Sequence, residues 1–173
     1  LIHILHWGFL ILLVFACTNG FADERNGELT FKTARTRKQL SDAELEQLLK
    51  ANVFLLFDGL ESITEKQAEM LGNLNGFSLD SVRELSDRQV ELLSQSRSIY
   101  LNGLRALTDK QAESLGNCEH VSLDALESIT AVQCESLQNL ETLELTGLKS
   151  ISNECAVALG KVKWLNLNGL KVI

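Results

Sequence analysis

Ile99-Tyr-Leu-Asn-Gly-Leu-Arg-Ala-Leu-Thr-Asp-Lys-Gln-Ala-Glu-Ser-Leu-Gly116 carries two periodicities in one short stretch. Ile99 and Leu101 flank the variable Tyr100, the i, i+2 spacing of a short strand with one buried face. Thr108-x-x-Gln111 then reads as a capping box, in which the hydroxyl accepts from the third helical amide and the Gln reaches back to the cap amide. Ala112 and Leu115 fall on one helix face at i, i+3. Gly116 stands where a left-handed C-cap is expected. The helix spans about two turns, too short to nucleate alone, so packing against the strand must hold it.

The same unit recurs with a step of 22 residues. Gly59-Leu60, Gly103-Leu104, Gly147-Leu148 and Gly169-Leu170 share one phase, with Ser81-Val82 and Ala125-Leu126 in the same positions. Leu55, Phe77, Ile99, Val121, Leu143 and Leu165 form one apolar column, and Phe57, Leu79, Leu101, Leu123, Leu145 and Leu167 form another two residues on. Ile63, Leu85, Leu107, Ile129 and Ile151 add a further buried column. Capping boxes repeat at Thr64/Gln67, Ser86/Gln89 and Thr130/Gln133, and Ser41/Glu44 places the same device one coil earlier. Gly72 and Gly160 repeat the expected left-handed cap of Gly116. Fixed-period self-similarity of this length is the signature of a solenoid.

Strand, turn, short helix and return at this period resemble the leucine-rich-repeat family, and Leu140-x-x-Leu143-x-Leu145 matches the opening of its motif. The resemblance covers residues 41–173 and is closest to short bacterial repeats. It implies an α/β solenoid with a parallel sheet of about six short strands, short helices on the convex side, and a binding scaffold without intrinsic chemistry. The chain departs from the family at its buried Asn, a position filled here by Leu60, Val82, Leu104, Leu126, Leu148 and Leu170. An Asn ladder is therefore not expected, and the family's curvature does not carry over.

The chain has 173 residues, 45% apolar and 23% charged, enough for one domain with a real core. A net charge of −7 speaks against nucleic acid and anionic membrane surfaces, which need a basic stripe. Residues 1–22 hold no Asp, Glu, Lys or Arg and contain the apolar run Ile11-Leu-Leu-Val-Phe-Ala16, the shape of a signal peptide cut before Asp23. Val14-Phe-Ala-Cys17 offers a second reading, a lipobox with lipid on Cys17; an uncleaved membrane anchor is a third. Contact with a membrane is expected only through this segment. The segment lacks the usual basic start, so an upstream start is expected to be missing. Residues 23–40 lack the repeat columns and read as a linker or partial N-terminal cap. The chain stops at Ile173 inside a coil, from which further repeats or a covering partner are expected.

The outward strand positions are the candidate binding surface. Before the first core column stand Phe54, Gly76, Ser98, His120, Thr142 and Trp164; between the columns, Leu56, Ser78, Tyr100, Ser122, Glu144 and Asn166; after them, Asp58, Asp80, Asn102, Asp124, Thr146 and Asn168. Six strands span roughly 24 Å at about 4.8 Å per gap, sufficient for one protein partner. The residues expected to carry recognition are Phe54, Asp58, Asp80, Tyr100, Asn102, His120, Asp124, Glu144, Trp164 and Asn166, with Tyr100 and Trp164 as aromatic anchors. The Asp/Asn column is read as turn residues satisfying local amides, not a calcium ladder, since stacked residues supply one oxygen each where calcium needs six to eight.

Catalysis finds little support. His120 and Ser122 share a strand face, but no orienting third group or oxyanion donor accompanies them, and no G-x-S-x-G is present. Cys118 and Cys134 fall in core columns, and Cys155 replaces a capping Gln; they suit neither a disulfide framework nor a zinc site, although a Cys134–Cys155 bridge between neighbouring coils is open. The expectation is a secreted or envelope-attached protein-binding module without catalytic residues, metal or cofactor. A structural spacer within a larger surface protein is the alternative, and cell-wall carbohydrate binding a weaker one, given only 6% aromatic residues.

Overall fold

The computed structural model describes residues 35–50 and 55–171. The signal segment, Cys17 and Phe54 lie outside these residues, as does most of the 23–40 segment. Helix and strand alternate: α1 (Asp42–Leu49), β1 (Leu55–Leu56), α2 (Glu65–Gly72), β2 (Gly76–Ser78), α3 (Asp87–Leu93), β3 (Ser98–Tyr100), α4 (Asp109–Leu115), β4 (His120–Ser122), α5 (Ala131–Leu137), β5 (Thr142–Glu144), α6 (Asn153–Leu159) and β6 (Trp164–Asn166). The six strands form one parallel sheet in sequence order. Leu55 pairs with Phe77, Ile99 with Val121 and Leu143 with Leu165, so the register advances 22 residues per strand.

The apolar columns form the core. Phe77, Ile99 and Leu143 are wholly buried, as are Leu79, Leu101, Leu123 and Leu145, with Val82, Leu126 and Leu148 behind them. The Ile63 column lies further out: Ile63 is buried, while Leu85, Leu107, Ile129 and Ile151 are only partly so. Beyond each of β1 to β5 one further bond ties coil to coil, as where the Leu101 amide donates to the Ser122 carbonyl at 2.9 Å. Residues 35–40 lie along the first coil, where the Arg35 and Lys38 carbonyls accept from Gly59 and Glu61.

The capping boxes at Ser41, Thr64, Ser86, Thr108 and Thr130 are all closed in both directions. The Gln side chains do more than cap. Each spends its Oε1 on the cap amide and its Nε2 on a carbonyl of the preceding coil: Gln67 to Leu40 at 2.7 Å, Gln89 to Ile63 at 2.7 Å, Gln111 to Leu85 at 2.8 Å and Gln133 to Leu107 at 2.9 Å. A glutamine ladder thus links coils whose buried Asn positions are apolar. In the last coil Cys155 stands at the Gln position. Ser152 still caps it, its hydroxyl accepting from the Cys155 amide at 3.2 Å, and the rung is covalent: Cys155 is disulfide-bonded to Cys134, with Cα atoms 5.3 Å apart. Cys118 is a free, buried thiol, and burial pushes its pKa up to about 12.

The expected left-handed C-caps are absent. Gly116 and Gly160 cap their helices in right-handed conformation at φ −61°, and Gly72 is the last residue of its helix. Close packing between coils explains the choice at Gly72 and Gly116, where a Cβ would overlap the backbone carbonyl oxygens of Leu92 and Ser136 in the next coil. Glycine here answers to a neighbouring helix, not to backbone handedness.

Candidate functional site

The sheet places the outward residues in three rows. Gly76, Ser98, His120, Thr142 and Trp164 are successive register partners, as are Leu56, Ser78, Tyr100, Ser122, Glu144 and Asn166. Trp164 is 57% exposed, the only large aromatic among the described residues left so open to water. Tyr100 is half-buried on β3, and burial together with the Glu144 carboxylate raises the pKa of its phenol. Ser78 and Ser122 beside it are almost wholly buried, at 3% and 2% exposure.

The third row does not behave as isolated turns. Asn102 Oδ1 accepts from the Asp124 amide at 3.2 Å and the Ser122 hydroxyl at 2.7 Å. Asp124 Oδ1 in turn accepts from the Thr146 amide at 3.2 Å and the Thr146 hydroxyl at 2.7 Å. These side chains satisfy amides of the next coil, where the sequence suggested local ones; parallel stacking brings the next turn closer than the residue's own. Asp58 pairs with Arg35, whose Nε donates to it at 2.6 Å. In the middle row, Asn166 Oδ1 accepts from the Asn168 amide at 3.2 Å. Asp80 Oδ1 and Ser78 Oγ are buried with no hydrogen-bond partner.

Glu144 lies beside these residues on β5. Burial, and then the Asp124 charge, push its carboxyl above the usual carboxylate range. Neither Glu144 nor Asp124 makes an ion pair among the described residues, whereas seven pairs elsewhere do meet within 4.0 Å.

At the leading edge of the sheet the structure gathers Glu119, His120 and Glu141, with one ligand atom of each within 4.8 Å of the others. Glu141 stands one 22-residue period after Glu119, so the register of the repeat stacks the two. The group's charge is already answered. Arg97 holds Glu119 through Nε at 2.8 Å and Nη2 at 2.6 Å, lowering the Glu119 pKa and raising its own. His120 and Ser122 remain on one strand, with the Ser122 hydroxyl donating to Asn102 and not to His120. A shallow groove at the trailing edge is lined by Glu61, Asp80, Ser81, Arg83, Gly103 and Arg105, mixing both charge signs.

No protein-family model matches the sequence, and no curated protein does. Among solved structures the chain is similar to an internalin from Listeria monocytogenes, at 15% identity and a TM-score of 0.51. The match covers 77% of this chain and 43% of the internalin, so the chain spans less than half of that protein's length. The fold is a leucine-rich-repeat solenoid. That follows from the likeness together with the parallel sheet, the stacked columns and the helices returning on the other side. Among the described residues no helix is long and apolar enough to cross a membrane.

Proposed function

We propose that this chain is a non-enzymatic protein-binding module of short bacterial repeat type, acting outside the cytoplasm through its concave sheet face. The observation that carries the reading is the division of labour among the strand positions. Core columns repeat from coil to coil, while the outward rows vary and leave Trp164 open to water on an uncovered sheet. Exposed aromatics on a rigid face are the usual anchors of a protein interface. His120, Ser122 and the Glu119 group lack the pairing that catalysis requires. The apolar first 22 residues and the Cys134–Cys155 disulfide both favour an oxidising, extracytoplasmic location.

A photo-crosslinking residue at Ser98 on the sheet, or at Glu113 on α4, tests this against the envelope and secreted proteins of the producing organism. Protein adducts are expected from Ser98 alone and are lost when Tyr100 and Trp164 are both replaced by Ala. Equal adducts from both positions, or none from Ser98, refute the reading.

A further inference from the structure

We propose that the concave face recognises an arginine side chain of its protein partner, seated against Tyr100 and held by Glu144 and Asp124. This rests on the protein-binding reading above and names the chemistry of the partner. The 18 outward strand positions contain Asp58, Asp80, Asp124 and Glu144 but no Lys or Arg. Arg35 answers Asp58. Asp124 and Glu144 meet no cation among the described residues and lie close enough to repel each other.

Unfilled hydrogen-bonding capacity points the same way. Ser78 is 97% buried by complement of its 3% exposure, belongs to the row of Tyr100 as its register partner, and leaves its Oγ without a partner. Asp80 Oδ1, two residues on, is likewise shielded and unpartnered. Buried polar atoms are ordinarily paired, and each left open costs stability. The carboxylate oxygens of this face can only accept, and the Ser78 hydroxyl can accept as well as donate. A guanidinium supplies five donors in a plane, stacks on an aromatic ring and bonds a carboxylate through two of them. Lysine fits less well, being a compact, strongly hydrated charge. Glu144 is costly to ionise in the free chain, which an incoming cation reverses.

The test uses dodecapeptides selected from a random phage-displayed library on the disulfide-bonded protein. Selected peptides are expected to share an arginine whose replacement by citrulline, its neutral isostere, weakens binding at least tenfold, with lysine falling between. Glu144→Gln with Asp124→Asn is expected to give a similar loss. Glu91→Gln with Glu113→Gln removes the same charge from the helices and is expected to change affinity less than twofold. Tyr100→Leu separates ring stacking from charge and is expected to weaken binding several-fold while circular dichroism stays unchanged. Equal losses from the two double variants reduce the effect to bulk charge and overturn the proposal. Peptides that bind the concave face without a required arginine overturn it too, while the protein-binding reading stands. Peptides that bind only the helices, or no selected binder, overturn both.

Discussion

Gln111→Met tests whether the glutamine ladder holds the coils together or merely caps helices. Gln111 is 5% exposed, and its amide closes two bonds: Oε1 accepts from the Thr108 amide at 3.0 Å and Nε2 donates to the Leu85 carbonyl at 2.8 Å. Methionine matches the shape but removes both, leaving a donor and an acceptor without partners. Both orphaned groups are part-buried, so each costs toward the lower end of about 1–3 kcal/mol, partly offset by the gain of burying a more apolar side chain, at about 0.8 kcal/mol per methylene. The expected loss is about 2 kcal/mol. Thr108→Ala supplies the comparison, since it removes the hydroxyl that accepts from the Gln111 amide at 3.1 Å yet leaves the inter-coil bond intact. Loss of a cap alone costs about 1 kcal/mol. Urea unfolding followed by far-ultraviolet circular dichroism gives both values, with the slope on denaturant unchanged if only native contacts are lost. Equal losses in the two variants would mean that the Leu85 bond adds nothing beyond the cap, and the ladder as a stabilising device would be refuted.

The disulfide at the last rung closes a separation of 21 residues, for which chain entropy gives about 3 kcal/mol, so reduction should lower the urea midpoint. Cys134→Ala with Cys155→Gln should recover part of that loss by restoring a rung to the Ile129 carbonyl; a double variant no more stable than the reduced protein contradicts this. Gly116→Ala should destabilise by about 1–3 kcal/mol because its Cβ overlaps the Ser136 carbonyl. Gly160→Ala, whose nearest contact is the Ala156 carbonyl oxygen at 3.1 Å, should cost far less; equal effects would remove the close-packing explanation. Glu144 has a raised folded pKa, so its ionisation opposes folding above the unfolded carboxylate pKa. Glu144→Gln should therefore raise Tm at pH 7 and leave it unchanged at pH 3, and a lower Tm at pH 7 refutes the assignment. Cys118, with its pKa near 12, should resist alkylation at pH 8 until the protein is denatured, as mass mapping of the labelled peptide would show.

The repeat was legible because coil closure uses residue types with strong local signatures. Thr108 and Gln111 announce a helix start through spacing alone, and Ile99 and Leu101 announce a buried strand face. Contacts that run from coil to coil were less legible. The Gln111 Nε2 bond to Leu85 lies 26 residues back, and the Asp124 bond to Thr146 lies 22 forward. Both look local in sequence, since a Gln at the third helical position and an Asp before a turn each have a sufficient local explanation. Gly116 misled for the same reason: a glycine at a helix end suggests a left-handed cap until the neighbouring helix is seen to crowd it.

Three buried side-chain oxygens lack a partner among the described residues: Ser78 Oγ and Asp80 Oδ1 on or just after β2, and Ser96 Oγ in the turn before β3. Gln67, Gln111 and Gln133 are buried polar side chains with their bonds made, as packing a solenoid requires. Ser78, Asp80 and Glu144 are different, since two leave buried oxygens open and the third holds a charge that burial and Asp124 disfavour. Natural chains lie close to a stability threshold, and groups that cost stability are concentrated where activity needs them. A solenoid that satisfies nearly every cap amide with a repeated Thr or Ser and Gln has the means to satisfy a serine hydroxyl. That it leaves the Ser78 hydroxyl open, in register with Tyr100, is the kind of cost the proposed arginine site on this face would account for.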